Sequence, residues 1–199
     1  SFVEPTQRLL CRFRSGAVGL CELPRRTWAL FGRAAHTDTV FGAAFKPDDP
    51  SMLATCSFDG SVRIWDTRKA ALHRDLLGED VGVLYGIAWS PAPGDPRLAT
   101  ASSRGQLLLW HVDNGVMERR VDVRSPGVVP PHMTHPGSPW AVYCVDWGSQ
   151  FLCCSSGSHV AVCGHAGDVL LHLRHPDQCF GVSWHAANPL LLASACADG

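Results

Sequence analysis

The chain has 199 residues, with 17 Lys+Arg against 18 Asp+Glu and a formal net charge of −1, which suits one ordinary domain or a piece of a larger one. Hydrophobic residues make up 46% and charged residues 18%, so a packed core is expected and compositional disorder is excluded. The near-neutral balance has no basic run, which argues against a nucleic-acid binder, and no apolar stretch reaches the ~18–20 residues of a membrane span.

Residue 1 is Ser and no signal peptide opens the sequence, so the expectation is a chain that begins inside a longer protein. Cys11, Cys21, Cys56, Cys144, Cys153, Cys154, Cys163, Cys179 and Cys196 form no C-x-x-C pair. Most sit in apolar runs, where a reduced thiol packs as a small hydrophobe. Their odd number and irregular spacing predict a reducing, intracellular compartment rather than a disulfide framework.

In chain order, the first predicted strands are Leu9–Arg14, Ala17–Glu22 and Thr27–Gly32, turned by Ser15-Gly16 and joined by Leu23-Pro24-Arg25-Arg26. Thr39–Phe45, Met52–Ser57, Ser61–Asp66 and Ala70–Leu77 follow, with Asp59-Gly60 as a hairpin signal because glycine tolerates the positive φ of such turns. The run Leu53–Asp66 then returns without a gap as Leu98–His111, and Trp65 to Trp110 is a step of 45. A third copy runs from Val142-Tyr143-Cys144-Val145-Asp146-Trp147 through Ser155, and a fourth from Phe180-Gly181-Val182-Ser183-Trp184 to Gly199. The segments are rich in Val, Ile, Leu and Trp, as strands buried on both faces are. No long amphipathic helix is predicted, so the chain reads as an all-β repeat protein.

A unit of about 40–45 residues with four strands and a Trp-Asp ending is the signature of a propeller blade. The chain resembles the WD-repeat family over roughly residues 8–199. The runs Thr39-Val40-Phe41, Phe45-Lys46-Pro47-Asp48-Asp49-Pro50, Leu170–Pro176 and Phe180–Trp184 resemble one branch of it, in which the propeller continues into helical repeats. The resemblance implies a β-propeller of four-stranded antiparallel blades, present as a partial arc of about 4–5 blades. The expected units are a three-stranded partial blade at 1–33, blades at 34–78 and 79–124, a Pro-rich connector at 125–139, a degenerate blade at 140–174 and a truncated blade at 175–199. End blades of such an arc leave apolar faces bare, which favours association.

The resemblance also implies a structural tetrad of His36, Ser57, Asp59 and Trp65 that ties a blade's turn to its entry loop. His, Ser and Asp also imitate a nucleophilic triad. No Gly-x-Ser-x-Gly elbow surrounds Ser57, so structure rather than catalysis is expected. The tetrad erodes in later copies: Asp80 and Arg104 replace the His and Asp of the second. Gly157 and Cys163 replace the Asp and Trp of the third, where Ser155 is kept. His175 and Asp198 persist in the fourth, with Cys196 in place of Ser. His132 and His135 lie in Pro-rich coil without acidic or thiolate partners at ligand spacing. No phosphate-cradling glycine motif is present. No metal, cofactor or enzymatic activity is expected.

Function is therefore expected at surfaces that touch other proteins, in a multi-protein assembly of cytoplasmic character, with cytoskeletal or ciliary association as the analogy. The leading expectation is a non-enzymatic scaffold. The alternative rests on Trp65-Asp66-Thr67-Arg68, which resembles the W-D-x-R motif of substrate receptors for cullin-4 ubiquitin ligases and makes Asp66 and Arg68 candidate partner-binding residues. The connector, with Pro126, Pro130, Pro131, Pro136 and Pro139, is a second candidate, since loops on rigid scaffolds often bind.

Overall fold

The computed structural model describes residues 2–3, 8–31, 36–124 and 140–197. The connector 125–139, with His132 and His135, and Asp198 lie outside the described residues. Among the described residues eighteen strands form five antiparallel sheets. The first holds β1 (Phe2–Val3), β2 (Arg8–Arg12), β3 (Val18–Glu22) and β4 (Thr27–Leu30). The second holds β5 (Val40–Phe45), β6 (Met52–Ser57), β7 (Val62–Asp66) and β8 (Ala71–Leu76). The third holds β9 (Leu84–Trp89), β10 (Arg97–Ser102), β11 (Gln106–His111) and β12 (Val116–Asp122). The fourth holds β13 (Val145–Trp147), β14 (Leu152–Ser156), β15 (His159–Cys163) and β16 (Val169–Arg174), and the fifth pairs β17 (Cys179–Trp184) with β18 (Leu192–Cys196).

The first sheet departs from the expected three strands. Phe2 pairs with Leu9 and Val3 with Arg8, so this sheet has a fourth strand. Two residues establish no period-2 pattern, which is why the sequence hides it. Elsewhere the strands fall within a residue or two of their expected places. Gly60, at φ 79°, closes the Ser57–Ser61 turn as the hairpin signal required.

The sheets stack like leaves of a fan, and their burial says why. Middle strands are closed on both faces: β6, β10 and β14 bury nearly every residue, whereas the outer strands β8, β12 and β16 are largely exposed. An apolar cluster fills each gap between successive sheets. Leu10, Val18, Phe31, Leu53 and Trp65 fill the first gap, and Ile64, Leu76, Leu98 and Trp110 are among those in the second. Leu107, Leu109, Val145 and Leu152 lie in the third; Cys153, Val160, Cys179 and Val182 lie in the fourth. Trp65 pairs with Leu53 and Trp110 with Leu98, so the two indoles hold equivalent places in adjacent sheets. Each fully buried side chain of this size stabilises the fold by ~1.5–3 kcal/mol.

The inner strands β5, β9, β13 and β17 lie side by side where the sheets converge. There the backbones approach so closely that side chains become obstacles. A Cβ on Gly42 would stand 2.6 Å from Cys56 Sγ and 3.0 Å from the Tyr85 carbonyl oxygen; one on Gly86 would stand 3.1 Å from both Tyr143 O and Val145 N. Glycine at these points sets how tightly the leaves close.

Gly86→Ala is therefore expected to lower stability by ~1–3 kcal/mol in urea unfolding, through overpacking against the fourth sheet. Gly164→Ala, where nothing lies within 4 Å of the added carbon, is expected to stay within about 0.5 kcal/mol of wild type.

Candidate interaction surfaces

The expected tetrad forms in the second sheet with one member exchanged. The Trp65 Nε1–H donates to Thr55 Oγ1 at 2.9 Å, and Thr55 Oγ1 lies 2.8 Å from His36 Nε2. On the far side of the ring, His36 Nδ1 lies 3.1 Å from Asp59 Oδ2 and 3.0 Å from Ser61 Oγ. One direction of donation satisfies the whole chain: indole N–H to hydroxyl oxygen, hydroxyl to Nε2, Nδ1–H to carboxylate. Asp59 also accepts from Ser61 Oγ at 2.6 Å and from the Thr37 N–H at 2.9 Å.

Ser57 is outside this chain. Its hydroxyl donates to the Asp38 carbonyl at 3.1 Å and accepts from the Asp59 N–H at 3.1 Å. Thr55 and Ser57 share a strand face, but Ser57 lies two residues, or ~6.6 Å, further from the Leu53–Trp65 pair. The tetrad is thus His36, Thr55, Asp59 and Trp65, with Ser57 pinning the entry loop. His36, Thr55 and Ser57 are fully buried, so no substrate reaches the apparent triad.

Later sheets vary the same theme. Trp110 Nε1–H donates to Thr100 Oγ1 at 2.9 Å, while Asp80 and Arg104, at the places of His and Asp, form an ion pair. In the fourth sheet Cys154 pairs with Val145 as Thr55 pairs with Ala43. That register puts Ser156, rather than Ser155, at the place of Ser57, because this copy is one residue shorter. Cys154 and Cys163 stand where Thr and Trp stood, both fully buried; removing donor and acceptor together leaves nothing unsatisfied. In the fifth sheet His175 Nε2 lies 3.1 Å from Ser194 Oγ, which is the Thr55 position, and Cys196 sits at that of Ser57.

The cysteines are thiols, and burial governs several of them. It pushes the Cys56 thiol up to about 12 and that of Cys163 up to about 11, which holds them protonated and unreactive.

An aromatic arc along the inner strands was missed by reading copies for their Trp-Asp endings. Val40 pairs with Ser57 and Gly42 with Cys56, so Phe41 is the extra residue of a β-bulge. Tyr85 is skipped in the same way between Leu84 and Gly86, as is Phe180 between Cys179 and Gly181. A bulge re-aims its side chain, and here it turns one ring from each of β5, β9 and β17 toward its neighbour. Phe41 and Tyr85 have centroids 5.4 Å apart, Tyr85 and Tyr143 4.9 Å, and Tyr143 and Phe180 5.3 Å; Phe58 stacks on Phe41 at 5.4 Å. Phe41 is 45% and Phe180 50% exposed, whereas Tyr85 is 5% exposed. The legible signal was the repeated step Phe41-Gly42, Tyr85-Gly86, Phe180-Gly181.

Arg68 lies at the opposite end of the strands, in the turn between β7 and β8, with its side chain 71% exposed. Asp66 Oδ1 accepts the Arg68 N–H at 2.9 Å and the Lys69 N–H at 3.3 Å. Asp66 is thus occupied in shaping the turn, and the exposed Arg68 side chain pairs with it, its Nε 3.8 Å from Asp66 Oδ1. A second apolar feature is a cleft of about 290 Å3 between the fourth and fifth sheets, lined by residues including Phe151, Leu171, Trp184 and Leu190. Among the described residues no helix is long and apolar enough to cross a membrane.

The family model for the WD domain, G-beta repeat, matches residues 29–66. The chain is similar to the peroxisomal targeting signal 2 receptor of Homo sapiens, 31% identical over 81 residues, 41% of this chain and 25% of that protein. It is also similar to coronin-7 of Bos taurus, 35% identical over 75 residues, 38% of this chain and 8% of that protein. With striatin-4 of Homo sapiens it shares 31% identity over 157 residues, 74% of this chain and 20% of that protein. The chain spans a quarter or less of the length of these relatives.

Thr55→Val strands the buried indole N–H and the imidazole, and is expected to cost ~1–3 kcal/mol in thermal or urea unfolding. Asp59 makes a pH-dependent contribution. Desolvation opposes its ionisation, but hydrogen bonds from His36, Ser61 and the Thr37 backbone outweigh it and hold the carboxyl well below the usual range. Its stabilisation is therefore present above the unfolded value of ~3.9 and is lost as pH falls below it. Asp59→Asn is expected to lower the melting temperature at pH 7 and to narrow the gap from wild type toward pH 2–3, read by circular dichroism.

Proposed function

We propose that this chain of the WD40-repeat family is a non-enzymatic scaffold whose bulged aromatic arc docks an extended segment of a partner protein. The observation that carries the proposal is the recurrence of the bulge. Three inner strands break their own pairing at equivalent points, each to present one ring. Packing alone gives no reason to leave Phe41 half in water, because a core ring gains by full burial. Aromatic faces 5 Å apart suit proline, aliphatic or aromatic side chains of an extended peptide. The runs around Phe41 and Phe180 resemble WD repeat-containing protein 17 and its relatives. That likeness supports an intracellular assembly of cytoskeletal or ciliary kind, with thiols kept reduced.

A second reading rests on Arg68. Its exposure on a turn organised by Asp66, in a motif resembling that of cullin-4 substrate receptors, supports docking of a ligase adaptor at the end opposite the arc.

In affinity purification, Phe41→Ala with Phe180→Ala is expected to lose the partners that travel with wild type while retaining its melting temperature. An unchanged partner set removes the arc as the docking surface. Arg68→Ala is expected to lose adaptor proteins alone and to keep the arc's partners; adaptor recovery equal to wild type dismisses the ligase reading.

A further inference from the structure

The spacings 175, 179 and 196 match no short ligand motif, yet the fold gathers these residues into one place. His175 follows β16, Cys179 opens β17 and Cys196 closes β18. Cys179 and Cys196 are cross-strand partners in register, and their Sγ atoms lie 2.8 Å apart. One imidazole nitrogen and the two sulfurs all fall within 4.8 Å of one another. Ser194 Oγ sits 3.1 Å from His175 Nε2 and helps to hold the ring. Cys179 is buried, while His175 and Cys196 are half-buried, so the cluster is walled by the sheet and open on one side.

We propose that His175, Cys179 and Cys196 form a binding site for a thiophilic divalent d-block ion, with zinc as the probe. Two sulfurs and an imidazole select zinc over magnesium or calcium, which take oxygen donors. Zinc–sulfur bonds of ~2.3 Å and zinc–nitrogen bonds of ~2.0 Å in a tetrahedron place two sulfurs roughly 3.8 Å apart. The two Sγ atoms must therefore part by about 1 Å relative to that reference, which rotation of the half-buried Cys196 side chain supplies. On binding, two thiol protons leave to water as two thiolates take up the ion, and the fourth position stays open for water. No electron is transferred. The ion ties the loop after β16 to both strands of the fifth sheet. The site lies beside Phe180, at the end of the aromatic arc.

The test is titration of the whole reduced chain with cobalt(II), followed by displacement with zinc. One equivalent is expected to produce a sulfur-to-cobalt charge-transfer band of two-thiolate intensity. Cys196→Ser is expected to halve that band, and His175→Ala to weaken zinc binding at least tenfold. Cys11→Ser, in the first sheet, is expected to change neither. Because Cys179→Ser alters a buried side chain, X-ray absorption of zinc-loaded wild-type protein provides a reading without any variant: two sulfurs and one nitrogen are expected. Absence of the charge-transfer band overturns the proposal. So does an identical band in Cys196→Ser, an oxygen-dominated zinc shell, or recovery of a Cys179–Cys196 disulfide with no metal retained under reducing conditions.

Discussion

Everything in this molecule depends on closing the middle strand of each sheet on both faces. A lone four-stranded sheet of this sequence exposes Leu53, Ile64 and Trp65 or their equivalents to water. Only a neighbouring sheet on each side removes them from it. The magnitudes say which force dominates. One such side chain contributes ~1.5–3 kcal/mol on burial, whereas a hydrogen bond contributes net ~0.5–1.5 kcal/mol. The fourth sheet tests this ordering. It has lost the Trp–Thr bond and carries Cys154 and Cys163 in its place, yet it keeps its four strands and its packed gap. The hydrogen-bonded tetrad of the second sheet is thus a lock on its entry loop, added to a fold that packing already determines.

That ordering also explains what could be read from the sequence. Trp65 and Trp110 were legible because a large apolar residue at the same step before a turn has one low-energy place, facing the gap. The hairpins were legible because Gly60 adopts a φ that other residues resist. Thr55 against Ser57 was not, since both are small hydroxyl residues on one face of β6, and pattern alone cannot measure which lies within reach of an indole. Strand β1 escaped because Phe2–Val3 pairs through backbone atoms, which leave no trace in side-chain order. Within the third copy, one residue fewer moved the hydroxyl position from Ser155 to Ser156, a shift visible only from strand pairing.

The functional features were harder to read for a related reason. A bulge changes where one side chain points without changing its type, so Phe41, Tyr85 and Phe180 read as ordinary strand aromatics until the register shows each to be skipped in the strand ladder. The glycine after each ring belongs to the same device. Gly42 and Gly86 let the inner strands close until backbone nearly meets backbone, and the crowding that forbids a Cβ there leaves the preceding ring little room inward. Convergence of the strands and display of the rings are one geometric event. The third inner position breaks the pattern: Cys144 follows Tyr143, and its Sγ lies 3.6 Å from the Val182 carbonyl of the next sheet. The ring of Tyr143 nevertheless stays in the arc.

The two proposed partner surfaces lie at opposite ends of the strands, and this follows from how antiparallel blades are connected. Inner strands begin at the end where β6 finishes and β7 starts, so the bulged rings, Phe58 and the Asp59 turn share that end. The β7–β8 turn bearing Arg68 is one strand length away, at ~17 Å for five residues. A protein held by the arc and another held by Arg68 would therefore approach from opposite sides without competing for area. Arg124 and Trp140 both crowd Gly105 at the aromatic end. An interior filled by packing leaves such a fold its rims and loops for contact, and two proposed surfaces on opposite rims suit the scaffold reading.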